Sequence, residues 1–229
     1  MKSDRYYSTP IGELPSVTTV LSVIAKPALV GWSAKVTREF YQTALLDLLK
    51  KKTPLTEPII YQIDEQAKTC YKDVQTTAMD IGSRVHAKVE WYLKSGRIPE
   101  VEDDEEKSFT AFVKWYDRND FTEIQTEQTV WHSSGFAGTL DFCGRDKDGL
   151  LTLLDFKTSK AIYDDYLLQV AAYVWAYEER NLKDVQRFCI VRLDKVTGVP
   201  EVKEFTRDEI DDGFYMFGNL LNYFKKARR

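Results

Sequence analysis

The sequence predicts an α/β domain in which a central mixed sheet of about five strands is flanked by helices and preceded by a helical N-terminal region. Three observations lead there. Apolar residues recur at helical spacing through roughly the first half of the chain. From Glu123 onward the period shortens to that of strands. Two turn signals, Asp146-Lys147-Asp148-Gly149 and Lys195-Val196-Thr197-Gly198, each sit between β-rich runs, and helical spacing resumes after each hairpin.

A hydroxyl in Pro15-Ser16-Val17-Thr18-Thr19 is placed to cap a first helix. Lys26-Pro27 breaks the chain before a helix over 28–51. Thr53-Pro54 and Glu57-Pro58 punctuate a loop, and helices follow over 59–74 and 78–94, the latter stopped by Ser95-Gly96. An acidic run leads into a helix over 107–118. Strands are expected at 123–131, 138–145 and 150–157, a helix over 164–179, strands at 185–193 and 199–205, and a closing helix over 208–226. With no repeat or low-complexity linker, residues 1–229 read as one domain: 1–120 mainly helical, 121–229 an α/β core.

The composition, 43% hydrophobic and 30% charged, supports a packed core and excludes a disordered chain. No apolar run approaches the roughly 20 residues of a membrane helix, and Met1-Lys2-Ser3-Asp4-Arg5 lacks the apolar core of a secretory signal. A soluble, intracellular protein is the expectation. Cys70, Cys143 and Cys189 are far apart and form no C-x-x-C pair, so neither a zinc ribbon nor a four-cysteine iron–sulfur cluster is expected, and the thiols read as small buried side chains. The net charge of −4 is unevenly distributed. Residues 100–107 alone carry −5, leaving the rest at +1, with basic runs at Lys50-Lys51-Lys52 and at Lys225-Lys226-Ala227-Arg228-Arg229. Such a distribution leaves a polyanion open as partner.

The chemistry concentrates in Gly138-Thr139-Leu140-Asp141 and Leu154-Asp155-Phe156-Lys157-Thr158-Ser159. Strand residues two apart share a face, so Asp155 and Lys157 point one way and Phe156 the other. Leu151 and Leu153 lie on the Asp155 side and Leu154 opposite, making the strand apolar on both faces, where a charge needs a partner. A three-residue loop Lys147-Asp148-Gly149, with Gly149 left-handed, pairs residue 146 with 150 and sets Asp141 opposite Asp155. A loop one residue shorter or longer would turn Asp141 away. Gly149 favours the three-residue form, so two carboxylates and a lysine converge. Paired carboxylates repel unless a cation or proton intervenes, and oxygen ligands with open positions suit Mg²⁺ or Mn²⁺.

His86 lies beside the apolar stripe Ile81, Val85 and Val89, with Glu90 one turn on. Gln169 and Tyr173 are one turn apart on the helix after Lys157, able to orient Lys157 or grip a phosphate. By spacing alone, Tyr173 would be a core tyrosine beside a surface glutamine. His132 sits near a loop and is given no role.

Four pieces, Gly82-Ser83-Arg84-Val85-His86, Gly138-Thr139-Leu140-Asp141, Asp155-Phe156-Lys157-Thr158 and Gln169-Val170-Ala171-Ala172-Tyr173, together resemble the PD-(D/E)XK nuclease superfamily in its RecB-type exonuclease branch. They fall in that family's order. Pro15-Ser16-Val17-Thr18-Thr19-Val20-Leu21 is similar to the opening of phage-type members and of the mitochondrial genome maintenance exonuclease. The resemblance implies a restriction-endonuclease-like core and hydrolysis of DNA from its ends with Mg²⁺ or Mn²⁺, single strands favoured. It implies metal ligation by His86, Asp141, Asp155 and the Phe156 carbonyl, with Lys157 activating water and Gln169 and Tyr173 supporting the site. Glu127 falls near where some members carry another acid. Cluster-bearing relatives use four cysteines, so a cluster-free member is implied.

The implied partner is DNA, touched by Thr158, Ser159, Trp32, Lys35 and Arg38, with Lys50, Lys51 and Lys52 nearby in sequence. Bases stack on exposed aromatics at roughly 1–3 kcal/mol each; core packing is the equal alternative for Trp32. A recombination or replication protein is a further possible partner, the oligomeric state is open, and the setting is the cytoplasm of a bacterial or phage-infected cell. The alternatives are a duplex-end exonuclease of recombination, a structure-selective endonuclease, and a non-catalytic DNA-binding module.

Overall fold

The computed structural model describes residues 4–227. Its chain order is β1 (Tyr6–Thr9), β2 (Gly12–Pro15), α1 (Val17–Leu21), α2 (Pro27–Lys50), α3 (Glu57–Ala67), α4 (Cys70–Ser95), α5 (Asp103–Tyr116), β3 (Thr122–His132), β4 (Phe136–Arg145), β5 (Leu151–Lys157), α6 (Asp165–Asn181), β6 (Arg187–Leu193), β7 (Pro200–Phe205) and α7 (Arg207–Ala227). The expected α/β class with a five-stranded mixed sheet and a helical N-terminal region is what the chain forms.

The chain divides into two compact units, Met1–Ile24 with Gly82–Arg229, and Ala25–Ile81. The larger holds the sheet in the order β3-β4-β5-β6-β7. Pairs β3/β4, β4/β5 and β6/β7 are antiparallel, and β5/β6 is parallel. A parallel pair needs a crossover, which α6 supplies. On one face α1, α6 and α7 bury Val17, Val170, Val174, Ile210 and Phe217 against Leu151, Leu153 and Ile190. On the other, Phe112 and Trp115 of α5 meet Phe156 edge-on at 5.6 and 5.5 Å. Trp115 meets Phe142 the same way at 6.0 Å. Phe112, Phe142 and Phe156 are almost wholly buried, each worth about 1.5–3 kcal/mol of transfer free energy. These aromatic contacts fix β4 and β5, the two site-bearing strands, against each other.

The β4–β5 turn forms as its residues require. Asp146 N–H donates to the Leu150 carbonyl at 3.1 Å. The Asp146 carboxylate accepts from the N–H groups of Asp148 and Leu150 at 2.9 and 3.0 Å, and Gly149 takes φ +77°. Phe142 pairs with Leu154 and Cys143 with Leu153, a register that sets Asp141 opposite Asp155.

The mainly helical N-terminal region also holds a hairpin, in which Tyr6–Thr9 and Gly12–Pro15 pair, and Ser16 caps α1 as expected by accepting from Thr19 N–H at 2.9 Å. Three expectations are corrected. The helices expected at 59–74 and 78–94 meet instead at Lys68–Thr69, and α4 runs unbroken through 75–77. Gln75-Thr76-Thr77 holds neither Gly nor Pro, and two threonines lower helix propensity without stopping it. α5 begins four residues before 107, because the acidic run forms its first turn, where carboxylates suit the helix dipole. Glu102 N–H donates to the Glu105 carboxylate at 3.0 Å there. Gln169, expected at the surface, is buried at 8% exposure.

The smaller unit packs α2 on α3. Tyr41 donates to Asp64 at 2.6 Å, and Ile63, Ala67 and Cys70 are buried. Among the described residues no helix is long and apolar enough to cross a membrane. Arg228 and Arg229 of the basic C-terminal run lie outside the described residues.

Candidate active site

The register of β4 and β5 brings the two aspartates to one place on the sheet, and α4 and α6 furnish what surrounds them. Asp141 Oδ2 accepts from Phe156 N–H at 2.8 Å and lies 3.4 Å from His86 Nδ1. The N–H and C=O of a strand residue point to the same neighbouring strand, so the Phe156 carbonyl also faces β4. Asp155, 1% exposed, lies with Oδ2 2.5 Å from Lys157 Nζ. Its Oδ1 accepts from Gln169 Nε2 at 2.9 Å. Gln169 is the hub: its Oε1 accepts from Lys157 at 3.0 Å and its Nε2 also reaches Tyr173 Oη at 3.1 Å. Every polar end of that amide is used, which explains a buried glutamine one turn from a buried tyrosine.

Electrostatics follow from this burial. Desolvation pushes the Asp155 carboxyl up, the Lys157 ammonium opposes it, and Asp141 adds repulsion, leaving Asp155 at about 6. Burial also raises Asp141, but the His86 and Lys157 charges and the Phe156 N–H outweigh it and hold Asp141 below its usual value. Desolvation works against charged His86, yet Asp141 and then Asp155 prevail and push it up to about 9. Lys157 is lifted above its usual range because Asp155 and Asp141 overcome its burial.

Metal-type donors gather at His86, Glu127 and Asp141, whose ligand atoms lie within 4.8 Å of one another. Glu127 stands on β3 at φ +51°, in a strand whose register shifts between Thr122 and Gln125. Left-handed backbone is costly for a residue with a side chain, and Glu123 of the same strand shares it. Burial, then Asp141 and Glu90, raise the Glu127 carboxyl. Asp155 is adjacent but held by Lys157 and Gln169. The sequence thus pointed at Glu127 only loosely, since nothing in a glutamate announces a positive φ.

Two motif glycines mark close approaches. A Cβ on Gly82 would lie 3.0 Å from Thr158 Oγ1, and one on Gly138 would lie 2.4 Å from Tyr173 Cε1. Arg84 anchors this part of α4 to the start of α5, pairing with Glu102, Asp104 and buried Glu105 at 2.6, 2.7 and 3.1 Å. Ser159 donates to the Ala161 carbonyl at 2.8 Å. Trp32 is half-buried, and Lys35 and Arg38 are exposed, on α2 of the smaller unit; Lys35 pairs with Glu39 at 3.7 Å. His132 pairs with Glu179 at 2.8 Å at the β3–β4 turn.

Two residues at the site escaped the sequence reading. The Tyr166 ring centroid lies 4.8 Å from Lys157 Nζ; its position three before Gln169, hence on the same helix face, was the available signal. Tyr7 donates or accepts a 2.9 Å hydrogen bond with Thr139 Oγ1, two residues from Asp141.

Fold and site define an α/β protein with a buried carboxylate–lysine pair beside a histidine–carboxylate group. No protein-family model matches the chain, and no curated protein matches it in sequence. Among solved structures it is similar to a presumed exonuclease of Eubacterium rectale, at 15% identity and TM-score 0.43 over 64% of this chain. The match spans 65% of that protein, just under two thirds of its length. It is also similar to SSO0001, at 13% identity and TM-score 0.39, over 82% of this chain and 84% of that one. At these scores neither likeness bears on activity, which has to be argued from the side chains.

Proposed function

We propose that this chain is a metal-dependent nuclease that hydrolyses DNA phosphodiester bonds. It reads as one nuclease domain, a cluster-free member of the RecB-type exonuclease branch of the PD-(D/E)XK superfamily. It acts from DNA ends, with single strands favoured. The observation that carries this reading is the pair Asp141 and Asp155 opposite each other on β4 and β5, with Lys157 2.5 Å from Asp155 and His86 3.4 Å from Asp141. A purely structural ion pair needs one carboxylate per lysine; a second buried acid adds repulsion, and the acid and the imidazole beside it add desolvation, that a fold alone does not require.

The donors fit a divalent ion: two carboxylates and an imidazole converge at His86, Glu127 and Asp141, with the Phe156 carbonyl facing the same strand. Those residues would hold Mg²⁺ or Mn²⁺, and Asp155 borders them. When bound, such an ion supplies Lewis-acid stabilisation of phosphoryl charge and makes water more acidic.

The chain's own groups do the rest. Gln169 and Asp155 fix Lys157, whose N–H groups orient the attacking water and favour loss of its proton. The water oxygen bonds to phosphorus and its proton passes to solvent as the bond from phosphorus to the leaving deoxyribose oxygen breaks, and that oxygen takes up a proton from solvent. Tyr173 holds Gln169, and Thr158 and Ser159 follow Lys157 where the strand backbone would pass.

The test is cleavage of end-labelled single strands, linear duplex and closed circles with Mg²⁺, Mn²⁺ or chelator. Metal-dependent loss of linear substrates with circles spared is expected. Asp155→Ala and Lys157→Ala are expected to abolish it. Removing one partner of a buried pair costs about 3–5 kcal/mol, so Asp141→Asn, isosteric, is the companion variant, with circular dichroism as the check on folding. Near-normal cleavage by folded variants overturns the assignment; cut circles make it an endonuclease.

A further inference from the structure

Several cations around the site are engaged. Lys157 is tied to Asp155, His86 to Asp141, Arg84 to Glu102 and Asp104, and Arg192 to Glu201 and Asp194. A nucleic-acid strand brings a negative charge at every phosphate, and charge-assisted contacts with guanidinium groups are its usual anchors. The question is which cation at the rim of this site has a charge to give.

The N-terminal hairpin answers it. Arg5 is exposed, and among the described residues it enters no ion pair. Its guanidinium carbon lies 4.7 Å over the Tyr7 ring. That contact uses the ring face and none of the guanidinium N–H donors. The Tyr7 hydroxyl is bonded to Thr139 at 2.9 Å. Its phenol is also close enough to add to the burial and the Asp155 and Asp141 charges that hold the Tyr173 hydroxyl protonated. The chain Arg5–Tyr7–Thr139 therefore leads from solvent to β4 beside Asp141.

The backbone under Arg5 is pinned. Arg5 N–H donates to Thr19 Oγ1 at 2.9 Å, Ser16 N–H donates to the Arg5 carbonyl at 2.8 Å, and Ser16 bridges Ala137 of β4. None of these bonds uses the Arg5 side chain, so the backbone is held independently of the guanidinium. A cation displayed on a fixed backbone, pre-stacked and without a carboxylate, has the makings of an anion site with little ordering entropy left to lose.

We propose that Arg5, held on Tyr7, is a phosphate-binding subsite that grips the nucleic-acid backbone next to the scissile phosphodiester. This rests on the nuclease reading and assigns to the hairpin a role in strand binding rather than in bond breaking.

The experiment uses the full chain and a fluorescein-labelled single-stranded oligonucleotide. Its dissociation constant is measured by anisotropy in chelator over a salt series, and its steady-state cleavage with Mn²⁺. Arg5→Ala is expected to weaken binding about tenfold, as for loss of one charge-assisted contact. It is also expected to flatten the dependence of log affinity on log salt by about 0.7, one phosphate's worth for a single strand. In cleavage the effect falls on KM rather than kcat. Arg5→Lys keeps the salt slope and recovers part of the affinity, since charge remains but the stacked fork is lost. Unchanged affinity and slope in Arg5→Ala, with wild type binding and cutting, overturns this subsite alone. Wild type that neither binds nor cuts overturns the nuclease reading and the subsite with it.

Discussion

Gly138→Ala is the smallest change that should propagate from the fold into the site. The added methyl would meet Tyr173 Cε1 at 2.4 Å, Cδ1 at 3.3 Å and Cζ at 3.4 Å. Carbon atoms rest about 3.5–4.0 Å apart, so the ring must retreat by about 1 Å. It has little room to do so, because Tyr173 is 4% exposed and packs in the α6 core. Overpacking of this kind costs about 1–3 kcal/mol. A ring that moves also loses the 3.1 Å bond between Gln169 Nε2 and Tyr173 Oη, about 1 kcal/mol more. The sum, roughly 2–4 kcal/mol, corresponds to a fall in Tm of about 4–16 °C for a domain of this size. Gln169 also holds Asp155 and Lys157, so cleavage should fall by at least about tenfold, the rate equivalent of 1.4 kcal/mol. The assay is calorimetric melting of wild type, Gly138→Ala, Tyr173→Leu and the double variant, with cleavage rates alongside. If the ring is the obstacle, Gly138→Ala costs much less when combined with Tyr173→Leu, a coupling of about 1–2 kcal/mol. Strict additivity, or a Gly138→Ala protein that melts with wild type, refutes the reasoning.

Two further outcomes follow from the same geometry. Glu127 holds φ +51°, a conformation costing a side-chain-bearing residue roughly 1–2 kcal/mol. Glu127→Gly should therefore raise Tm by about 2–4 °C per kcal/mol recovered, while calorimetric titration with Mn²⁺ shows weaker binding; loss of stability, or unchanged metal affinity, contradicts a ligand role. The Tyr166 ring, 4.8 Å from Lys157 Nζ, should contribute about 0.5–2 kcal/mol to holding that ammonium. Tyr166→Leu then lowers kcat several-fold with KM little moved, and Tyr166→Phe, which keeps the ring, restores it; equal rates for the two variants would sink that role.

What could be read from the sequence was whatever one residue type forces locally. Gly149 forces a left-handed position, the left-handed position selects a three-residue turn, and the turn sets register, so the approach of Asp141 to Asp155 was legible across the intervening hairpin. Asp155 and Lys157 share a face by the strand period alone, and their 2.5 Å contact follows. What was not legible depended on geometry that no residue type announces. Glu127 owes its place to a left-handed backbone in β3. Gln169 reads as a surface residue because helical spacing cannot know that a buried aspartate and lysine on the facing side of the sheet satisfy its amide. The β1–β2 hairpin was missed because two four-residue strands around Pro10 give too short a period to distinguish. That last omission has a physical consequence. The residues that bear the chemistry are buried and mutually neutralising, and their positions follow from strong local rules. On the proposed nuclease reading, a site that also holds a charged polymer needs charge to spare, and Arg5, just before the hairpin, has it. On that reading the proposed chemistry is legible in the sheet, whereas the proposed substrate grip falls on the short, weakly patterned elements that border it.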